Sequence, residues 1–219
     1  MRAFIALELG RECVDEIIKI QKLLKKRVLF NGKYTESENL HLTLKFLGEI
    51  DEEKVSEVKK KLSEIKNQEF DVELGEIGVF SKDFIRIIWI KLNGKGIFHL
   101  QKEIDEKLSV SQTFALGGKA SGDEKLSDLF SKEDRFMSHI TIARVKTIGD
   151  PEKDSFSVPK NFKKEKQKFS GKKGLIEYLG SIKPRKIKFR VNEFILKKSE
   201  LRPEGPVYED LEKYKLIKN

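Results

Sequence analysis

His41-Leu42-Thr43-Leu44-Lys45-Phe46-Leu47-Gly48 begins with a pattern, His-apolar-Thr-apolar, that returns at His139-Ile140-Thr141-Ile142. Each copy is typical of a β-strand, in which successive side chains point to opposite faces. The histidine and the threonine therefore share one face, while the two apolar residues are buried on the other. Each copy thus presents an imidazole beside a hydroxyl on a rigid strand. The chain has 3 histidines, and two of them occupy equivalent positions in this repeat.

Apolar periodicity around the first motif predicts alternating strands and helices. We predict a strand at 3–9, a helix at 11–28, polar turn residues at 31–39, the motif strand from 41 and a helix capped by Asp51. Strands at 70–80 and 84–92, joined by a short hairpin turn, and a helix at 96–108 follow. The third histidine, His99, falls on this helix, where we expect a surface or packing role.

The second half contains two stretches without sustained periodicity. The stretch 109–137 predicts a long loop, either a flap over a site or an ordinary insertion. The stretch 160–173 is rich in lysine and contains Phe162 and Phe169, a pattern that fits either a nucleic-acid-binding segment or an exposed, solvated one. Elsewhere we predict a helix at 172–181, a strand at 186–196, a loop at 199–206 and a final short segment from 207.

Each half of the chain therefore contains strands, helices and one His-x-Thr-x strand. Because His41 and His139 are far apart in the chain, only the fold can bring them together. An approximate two-fold between the halves would turn both motifs toward one cleft. We predict an α+β fold, a single bilobal domain over 1–219 with antiparallel sheets lining a central cleft and helices outside.

The composition agrees with one domain or a two-lobed domain of 219 residues. The formal net charge of +9 favours a polyanion such as nucleic acid, although lysine-rich proteins without such partners are common. Cys13 stands alone, which excludes a disulfide framework and a cysteine-based metal site. The N-terminal apolar run is too short for a signal peptide, and no stretch has the length of a membrane span. We expect a soluble, monomeric, cytoplasmic protein.

Two imidazoles that face one cleft are suited to general acid–base catalysis near neutral pH. One takes a proton from an attacking water or hydroxyl, and the other gives a proton to the leaving oxygen. Thr43 and Thr141 can donate hydrogen bonds to an oxyanion between them. Arg144 would add positive charge, but its odd spacing from His139 puts it on the opposite strand face unless the strand ends or bulges. A tetrahedral phosphodiester suits such a site, which requires no metal.

Three other interpretations fit the residues less well. A metal site needs several ligands at fixed spacing, and neither motif contains Asp or Glu. A serine or cysteine nucleophile lacks a recognisable local motif, and Cys13 falls in a predicted helix. Each histidine could be a partly buried strand residue bonded to its neighbours, which we would favour for one copy but not for two. We therefore predict catalytic roles for His41 and His139, with no metal and no cofactor.

The paired motifs resemble the signature of the 2H phosphoesterase superfamily. Within it, the chain resembles the RNA 2′,3′-cyclic phosphodiesterases, historically called 2′-5′ RNA ligases. The segments that share this resemblance are Arg2-Ala3-Phe4-Ile5-Ala6-Leu7, Lys45-Phe46-Leu47-Gly48-Glu49, Ala143-Arg144-Val145-Lys146 and the stretch 199–208. The resemblance covers almost the whole chain and is weakest at 109–137 and 150–185. Ser138 stands where relatives often have Pro, a departure that affects entry into the strand and no catalytic group.

The resemblance implies a bilobal α+β fold with a metal-free site that opens a terminal 2′,3′-cyclic phosphate to a 2′-phosphate. It also implies RNA ends or nucleotides with such a phosphate as partners, and His41 as proton donor with His139 as acceptor. The other positions carried over are Thr43 and Thr141 for phosphate oxygens, Arg144 after the second motif, and Phe4 and Tyr208 near the cleft. The reverse reaction would join RNA ends as a 2′-5′ ligase. A competing hypothesis is an RNA-binding protein that uses the basic cleft without turnover.

Overall fold

One antiparallel sheet of nine strands organises the computed structural model, which describes residues 1–109, 136–149, 171–203 and 205–218. The strands are β1 (Arg2–Glu8), β2 (Phe30–Tyr34), β3 (His41–Glu49), β4 (Phe70–Val79), β5 (Ile87–Asn93), β6 (His139–Ile148), β7 (Lys188–Val191), β8 (Glu193–Arg202) and β9 (Gly205–Lys215). The α-helices in the described ranges are α1 (Arg11–Arg27), α2 (Glu52–Ser63), α3 (Lys95–Ser109) and α4 (Gly171–Ser181), and a 3-10 turn covers Ser37–Asn39.

The two motif strands lie side by side at the centre of the sheet. The strand order is β7-β4-β5-β6-β3-β1-β8-β9, and β2 pairs with the remaining length of β6. Only Leu42 and Ile140 pair between β3 and β6. The junction divides the sheet into two half-sheets, one made of β7, β4, β5, β6 and β2 and the other of β3, β1, β8 and β9. Leu42 and Ile140 are equivalent in the two motifs, so their pairing is what a local two-fold between the half-sheets requires. The predicted α+β fold is confirmed, but the halves of the sheet are not the halves of the chain, because β1 and β3 from the N-terminal part join β8 and β9 from the C-terminal part.

Helices cover the face of the sheet opposite the histidines. α1 packs on β6, α3 packs on β3 and β4, and α4 packs on β4. The apolar motif residues Leu42, Leu44, Ile140 and Ile142 are all buried in the common core. Burying each such side chain contributes about 1.5–3 kcal/mol, so the predicted division of the motif strands into two faces is strongly enforced. No helix in the described ranges has the length and apolarity needed to cross a bilayer.

Both motif strands bulge at the same motif position. Opposite β1, Thr43 and Lys45 have partners while Leu44 between them is skipped. Opposite β5, Thr141 and Ala143 have partners while Ile142 is skipped. An extra residue of this kind shifts the side-chain alternation by one, so residues beyond the bulge exchange faces.

Three predicted boundaries were wrong. The turn predicted at 31–39 contains β2, which pairs with β6. The strand predicted at 186–196 divides at Asn192, because β7 pairs with β4 whereas β8 pairs with β1 and β9. The loop predicted at 199–206 is mostly strand, since β8 extends to Arg202 and β9 begins at Gly205.

Other predictions agree with the structure, differ from it by a few residues at one end, or cannot be compared with it. The Asp51 side chain caps α2 by accepting a hydrogen bond from the Lys54 backbone N–H at 2.8 Å, and His99 is exposed. The helix predicted at 172–181 is α4. The strand predicted at 84–92 starts later, at Ile87. Most of the predicted loop at 109–137, together with Phe162 and Phe169, lies outside the described residues.

The Asn-Gly pair in β2 shows why the turn was predicted wrongly. A Cβ atom at Gly32 would lie 2.1 Å from the Arg144 carbonyl oxygen, so β2 approaches β6 more closely than a side chain allows. The glycine is therefore needed for strand contact rather than for a turn.

Gly32→Ala should lower the free energy of unfolding by about 1–3 kcal/mol, because the new methyl group must push β2 away from β6. Gly180→Ala is the matched control, since a Cβ atom there meets nothing within 4 Å on α4 and alanine favours the helix. Urea denaturation should show a loss for the first variant and a neutral or stabilising effect for the second. Equal effects would contradict the close approach of β2.

Candidate active site

A cleft of about 460 Å³ opens on the face of the sheet that carries the motif histidines. Both half-sheets line it. All of the residues predicted for the site lie on its wall: Phe4, His41, Thr43, His139, Thr141, Arg144 and Tyr208. The fold therefore brings the two motifs into one cavity, as the repeat predicts.

The two histidines make the same hydrogen bond. His41 Nδ1 lies 2.8 Å from the carbonyl oxygen of Asn39, and His139 Nδ1 lies 2.7 Å from that of Met137. A carbonyl oxygen only accepts, so each Nδ1 carries the hydrogen and donates it. In the neutral ring this leaves the lone pair on Nε2, and Thr43 donates its hydroxyl hydrogen to Nε2 of His41 over 3.1 Å. Each ring is thus fixed in the tautomer that can take up a proton at Nε2.

Burial lowers the pKa of His41 to about 4. The hydrogen bond to Asn39 raises this pKa, as does the charge of Glu8, whereas Lys197 and His139 lower it further. His41 is therefore neutral at pH 7 in the empty cleft. An anion bound against the ring would favour the imidazolium, so binding of a phosphate would bring a proton to His41.

Aromatic rings hold both imidazoles in place. The ring of Phe4 lies 4.9 Å from that of His41, and Tyr208 meets the same imidazole edge-on at 5.2 Å. Phe80, between β4 and β5, meets His139 edge-on at 4.9 Å and lies 6.0 Å from Trp89. Burial raises the pKa of Tyr208 despite the opposing charge of Arg144, so its hydroxyl remains a hydrogen-bond donor.

Arg144 reaches the cleft because β6 bulges. Regular alternation from His139 would turn Arg144 toward the core, but the extra residue at Ile142 reverses the alternation beyond it. Ala143 is buried as a result, and Arg144 is exposed on the cleft wall. The sequence allowed Arg144 to face the cleft only if the strand ended or bulged after His139, and the structure shows that it bulges.

Gln21 supports this bulge from α1. Its side-chain amide donates to the carbonyl oxygens of Ile142 at 2.9 Å and Thr35 at 2.8 Å. Thr35 also bonds β6, donating from its backbone N–H to Ile142 O at 3.0 Å and from its hydroxyl to Thr141 O at 2.8 Å. The extra residue in β6 therefore has its carbonyl group satisfied by a buried side chain.

Phe46 was missed by the sequence analysis, although the signal was present. It follows His41 by the same interval at which Arg144 follows His139, and the bulge at Leu44 turns it to the cleft in the same way. Its side chain is 75% exposed and lines the cavity with Leu201, itself 64% exposed, and Pro206. One half-sheet therefore offers an arginine where the other offers a phenylalanine.

The competing site types receive no support from the described residues. Cys13 is fully buried on α1, and burial raises the pKa of its thiol to about 12, so it is not a nucleophile. Within the ranges that the structure describes, no group of three His, Cys, Asp or Glu side chains is placed to hold a metal ion.

Known proteins share both the sequence pattern and the fold. A family model described as LigT like Phosphoesterase matches residues 7–89. The RNA 2′,3′-cyclic phosphodiesterase of Methanocaldococcus jannaschii is 34% identical over 215 residues, covering 98% of this chain and 100% of the relative. That of Archaeoglobus fulgidus is 31% identical over 216 residues, covering 96% of this chain and 98% of the relative.

Solved structures agree on the fold. The Thermus thermophilus protein TT0787 superposes with a TM-score of 0.69 at 23% identity, covering 100% of both chains. Apo LigT of Escherichia coli gives a TM-score of 0.64 at 20% identity, covering 99% of this chain and 97% of LigT.

Gln21→Met should reduce stability by about 1–3 kcal/mol, because a buried hydrogen-bonded amide is replaced by an apolar side chain. It should also weaken binding of inorganic phosphate roughly threefold to tenfold, since Arg144 depends on the bulge that Gln21 holds. Calorimetric titration with phosphate measures this change. Gln101→Met is the control, because Gln101 donates to Asp105 on α3 and does not line the cleft. If both variants bound phosphate with equal affinity, the predicted dependence of Arg144 on Gln21 would be wrong.

Proposed function

Because this chain belongs to the RNA 2′,3′-cyclic phosphodiesterase family of LigT-like phosphoesterases, we propose that it opens the 2′,3′-cyclic phosphate at an RNA end to a 2′-phosphate. One observation carries the proposal: two imidazoles from symmetry-related strands lie on one cleft with Nδ1 bonded to a carbonyl oxygen. Each ring then has Nε2 available for proton transfer. Hydrolysis of a phosphodiester needs two such groups, one to take a proton from the attacking water and one to give a proton to the departing oxygen.

In the proposed reaction Nε2 of His139 takes a proton from water as the water oxygen bonds to phosphorus. The bond from phosphorus to the 3′ oxygen breaks, and Nε2–H of His41 gives its proton to that oxygen. The 2′ oxygen stays bonded, so the product is a 2′-phosphate. The order of donor and acceptor follows the family resemblance.

The remaining cleft residues would hold the charge that develops on phosphorus. The hydroxyl groups of Thr43 and Thr141 donate to the non-bridging oxygens, and Arg144 supplies positive charge. Donors fixed in this way before the reaction stabilise the transition state more than mobile water does. They supply the charge stabilisation that a metal would otherwise provide, so we propose a metal-independent reaction. The bound phosphate also favours protonation of His41, whose pKa is low in the empty cleft.

A 5′-hydroxyl would take the place of water in the same step. Nε2 of His139 would take the proton of that hydroxyl as its oxygen bonds to phosphorus, and His41 would protonate the departing 3′ oxygen, which joins the two ends through a 2′-5′ phosphodiester. In the reverse direction the 3′-hydroxyl would attack phosphorus and give its proton to His41, while His139 protonates the departing 5′ oxygen. We include 2′-5′ joining by the same groups in the proposal. We also propose that the protein is cytoplasmic and monomeric. Light scattering in solution measures the oligomeric state.

The nucleoside would lie against the apolar wall formed by Phe46, Leu201 and Pro206. These side chains border the cleft on the opposite half-sheet from Arg144, and Phe46 is highly exposed. Aromatic rings beside a phosphate site bind bases by stacking, which is tolerant of base identity.

Hydrolysis of a short RNA ending in a 2′,3′-cyclic phosphate, with EDTA present, tests the reaction. We expect a 2′-phosphate product, and His41→Ala and His139→Ala should each reduce kcat by about 10²–10⁴-fold, because each removes one proton-transfer group. Chromatography that separates the 2′- and 3′-phosphate isomers is the measurement. His99→Ala, which alters the exposed histidine of α3, is the control and should retain parental activity.

Several outcomes would contradict the proposal. A 3′-phosphate product would reverse the direction of ring opening, and loss of activity in EDTA would overturn metal independence. Salt-dependent RNA binding without any turnover, unaffected by His41→Ala, would instead support the RNA-binding hypothesis.

Phe46→Ala should raise KM for a nucleoside 2′,3′-cyclic phosphate by about 5-fold to 150-fold, the equivalent of about 1–3 kcal/mol of base stacking. The effect should disappear with ribose 2′,3′-cyclic phosphate, which has no base. Phe84→Ala is the matched control, because Phe84 is also an exposed phenylalanine but lies outside the cleft wall. An equal loss on the base-free substrate would mean that Phe46 shapes the phosphate site.

A further inference from the structure

A buried lysine lies behind His41. Lys197 on β8 is 8% exposed, and its ammonium group contacts Glu8 Oε1 of β1 at 2.8 Å and Asp210 Oδ1 of β9 at 2.5 Å. Burial lowers the pKa of Lys197, but the hydrogen bonds to Asp210 and Glu8 outweigh it and the net change is upward. Lys197 is therefore charged at neutral pH. A buried cation requires such partners, and three strands supply this cluster.

Glu8 connects the cluster to the catalytic histidine. In the β1–β3 ladder Glu8 is the direct partner of His41. Residues directly opposite each other share a face, with Cβ atoms about 4.5–5.5 Å apart. Glu8 is thus a carboxylate placed to pair with an imidazolium, but one of its oxygens is bonded to Lys197.

The charged and titratable groups around His41 come from four neighbouring strands. They are Glu8 of β1, Lys197 of β8, Tyr208 and Asp210 of β9, and His139 of β6. Among them, Glu8 raises the pKa of His41 whereas Lys197 and His139 lower it. Asp210 is also bonded to Lys213 at 3.1 Å. Without the Lys197 charge, Asp210 would still be paired with Lys213, whereas Glu8 would lose the ammonium group to which it is bonded.

We propose that Lys197 is a positioning residue for the phosphodiester reaction, because it holds the Glu8 carboxylate and prevents a Glu8–His41 ion pair. With Glu8 occupied, His41 keeps its hydrogen bond to the Asn39 carbonyl and gains its second proton only when phosphate is bound. Without Lys197, Glu8 would compete with Asn39 for an imidazole N–H and hold the proton in the empty cleft. The inference rests on the proposed function for its role in catalysis, but its effect on His41 is measurable without turnover.

The sign of the effect follows from the charges. A cation near His41 disfavours the imidazolium and an anion favours it. Lys197→Met removes the cation and leaves the Glu8 carboxylate unpaired with it, so the titration midpoint of His41 should rise. Glu8→Gln removes the anion and leaves the cation, so the midpoint should fall. The double variant removes both and should return close to the parent value.

NMR titration of the full chain with ¹³C-labelled histidine, from about pH 2.5 to 8.5, tests the proposal. The 3 histidines give a simple spectrum, and loss of one signal in His41→Gln identifies His41. In the parent His41 should remain neutral above about pH 5, whereas in Lys197→Met its midpoint should rise by about one pH unit or more. In Glu8→Gln/Lys197→Met it should return to within about 0.3 unit of the parent. The matching limb of the pH profile of kcat/KM should move in the same direction.

A purely structural role for Lys197 would give a different result. Lys197→Met would then lose stability while the His41 titration stayed within about 0.3 unit of the parent, and this outcome overturns the proposal. Lys197→Arg keeps the charge and should keep the parental midpoint. If Lys197→Met does not fold, Glu8→Gln decides alone, because an unchanged midpoint there excludes coupling of Glu8 to His41. Absence of turnover in the parent would overturn the proposed function, and the titration would still report on the cluster.

Discussion

The backbone pairing of Leu42 with Ile140 joins two half-sheets into one structure. Both side chains are fully buried, so the flanking histidine and threonine of each motif are directed to the other face. Because the pair links equivalent motif positions, each group that one strand presents has a counterpart on the other. A cleft with two matched imidazoles follows directly from this constraint. The helices, the outer strands and the aromatic rings then keep the two strands in that relation.

Departures from strict symmetry give the cleft its chemistry. The bulges at Leu44 and Ile142 occur at equivalent positions, yet they deliver Phe46 on one side and Arg144 on the other. Phe46 therefore places an exposed aromatic ring on one side of the cleft, and Arg144 places a cation on the other. The backbone geometry is repeated while the side chains differ. The asymmetry of the cleft thus comes from residues beyond the repeated motif.

Local patterns predicted much of this structure, and contacts between distant residues account for what they missed. The motif strands, the cap at Asp51 and the cleft histidines follow from periodicity and residue type. The bulge at Ile142 does not, because an extra apolar residue looks like part of a buried strand and its stabilising Gln21 lies far away in the chain. The division at Asn192 is equally hidden, since side-chain alternation continues while the pairing partner changes. The polar sequence of β2 likewise depends on β6.

The position of Trp89 has a practical consequence for solution studies. The chain contains a single tryptophan, and it pairs with Thr141 across β5 and β6. Its ring contacts Phe80, which in turn contacts His139. Its indole nitrogen is buried and lacks a hydrogen-bond partner among the described residues. The rest of the side chain is only partly buried, so its fluorescence should respond to small movements of the nearby rings. The unlabelled protein therefore contains its own optical reporter, one ring removed from His139 of the second motif.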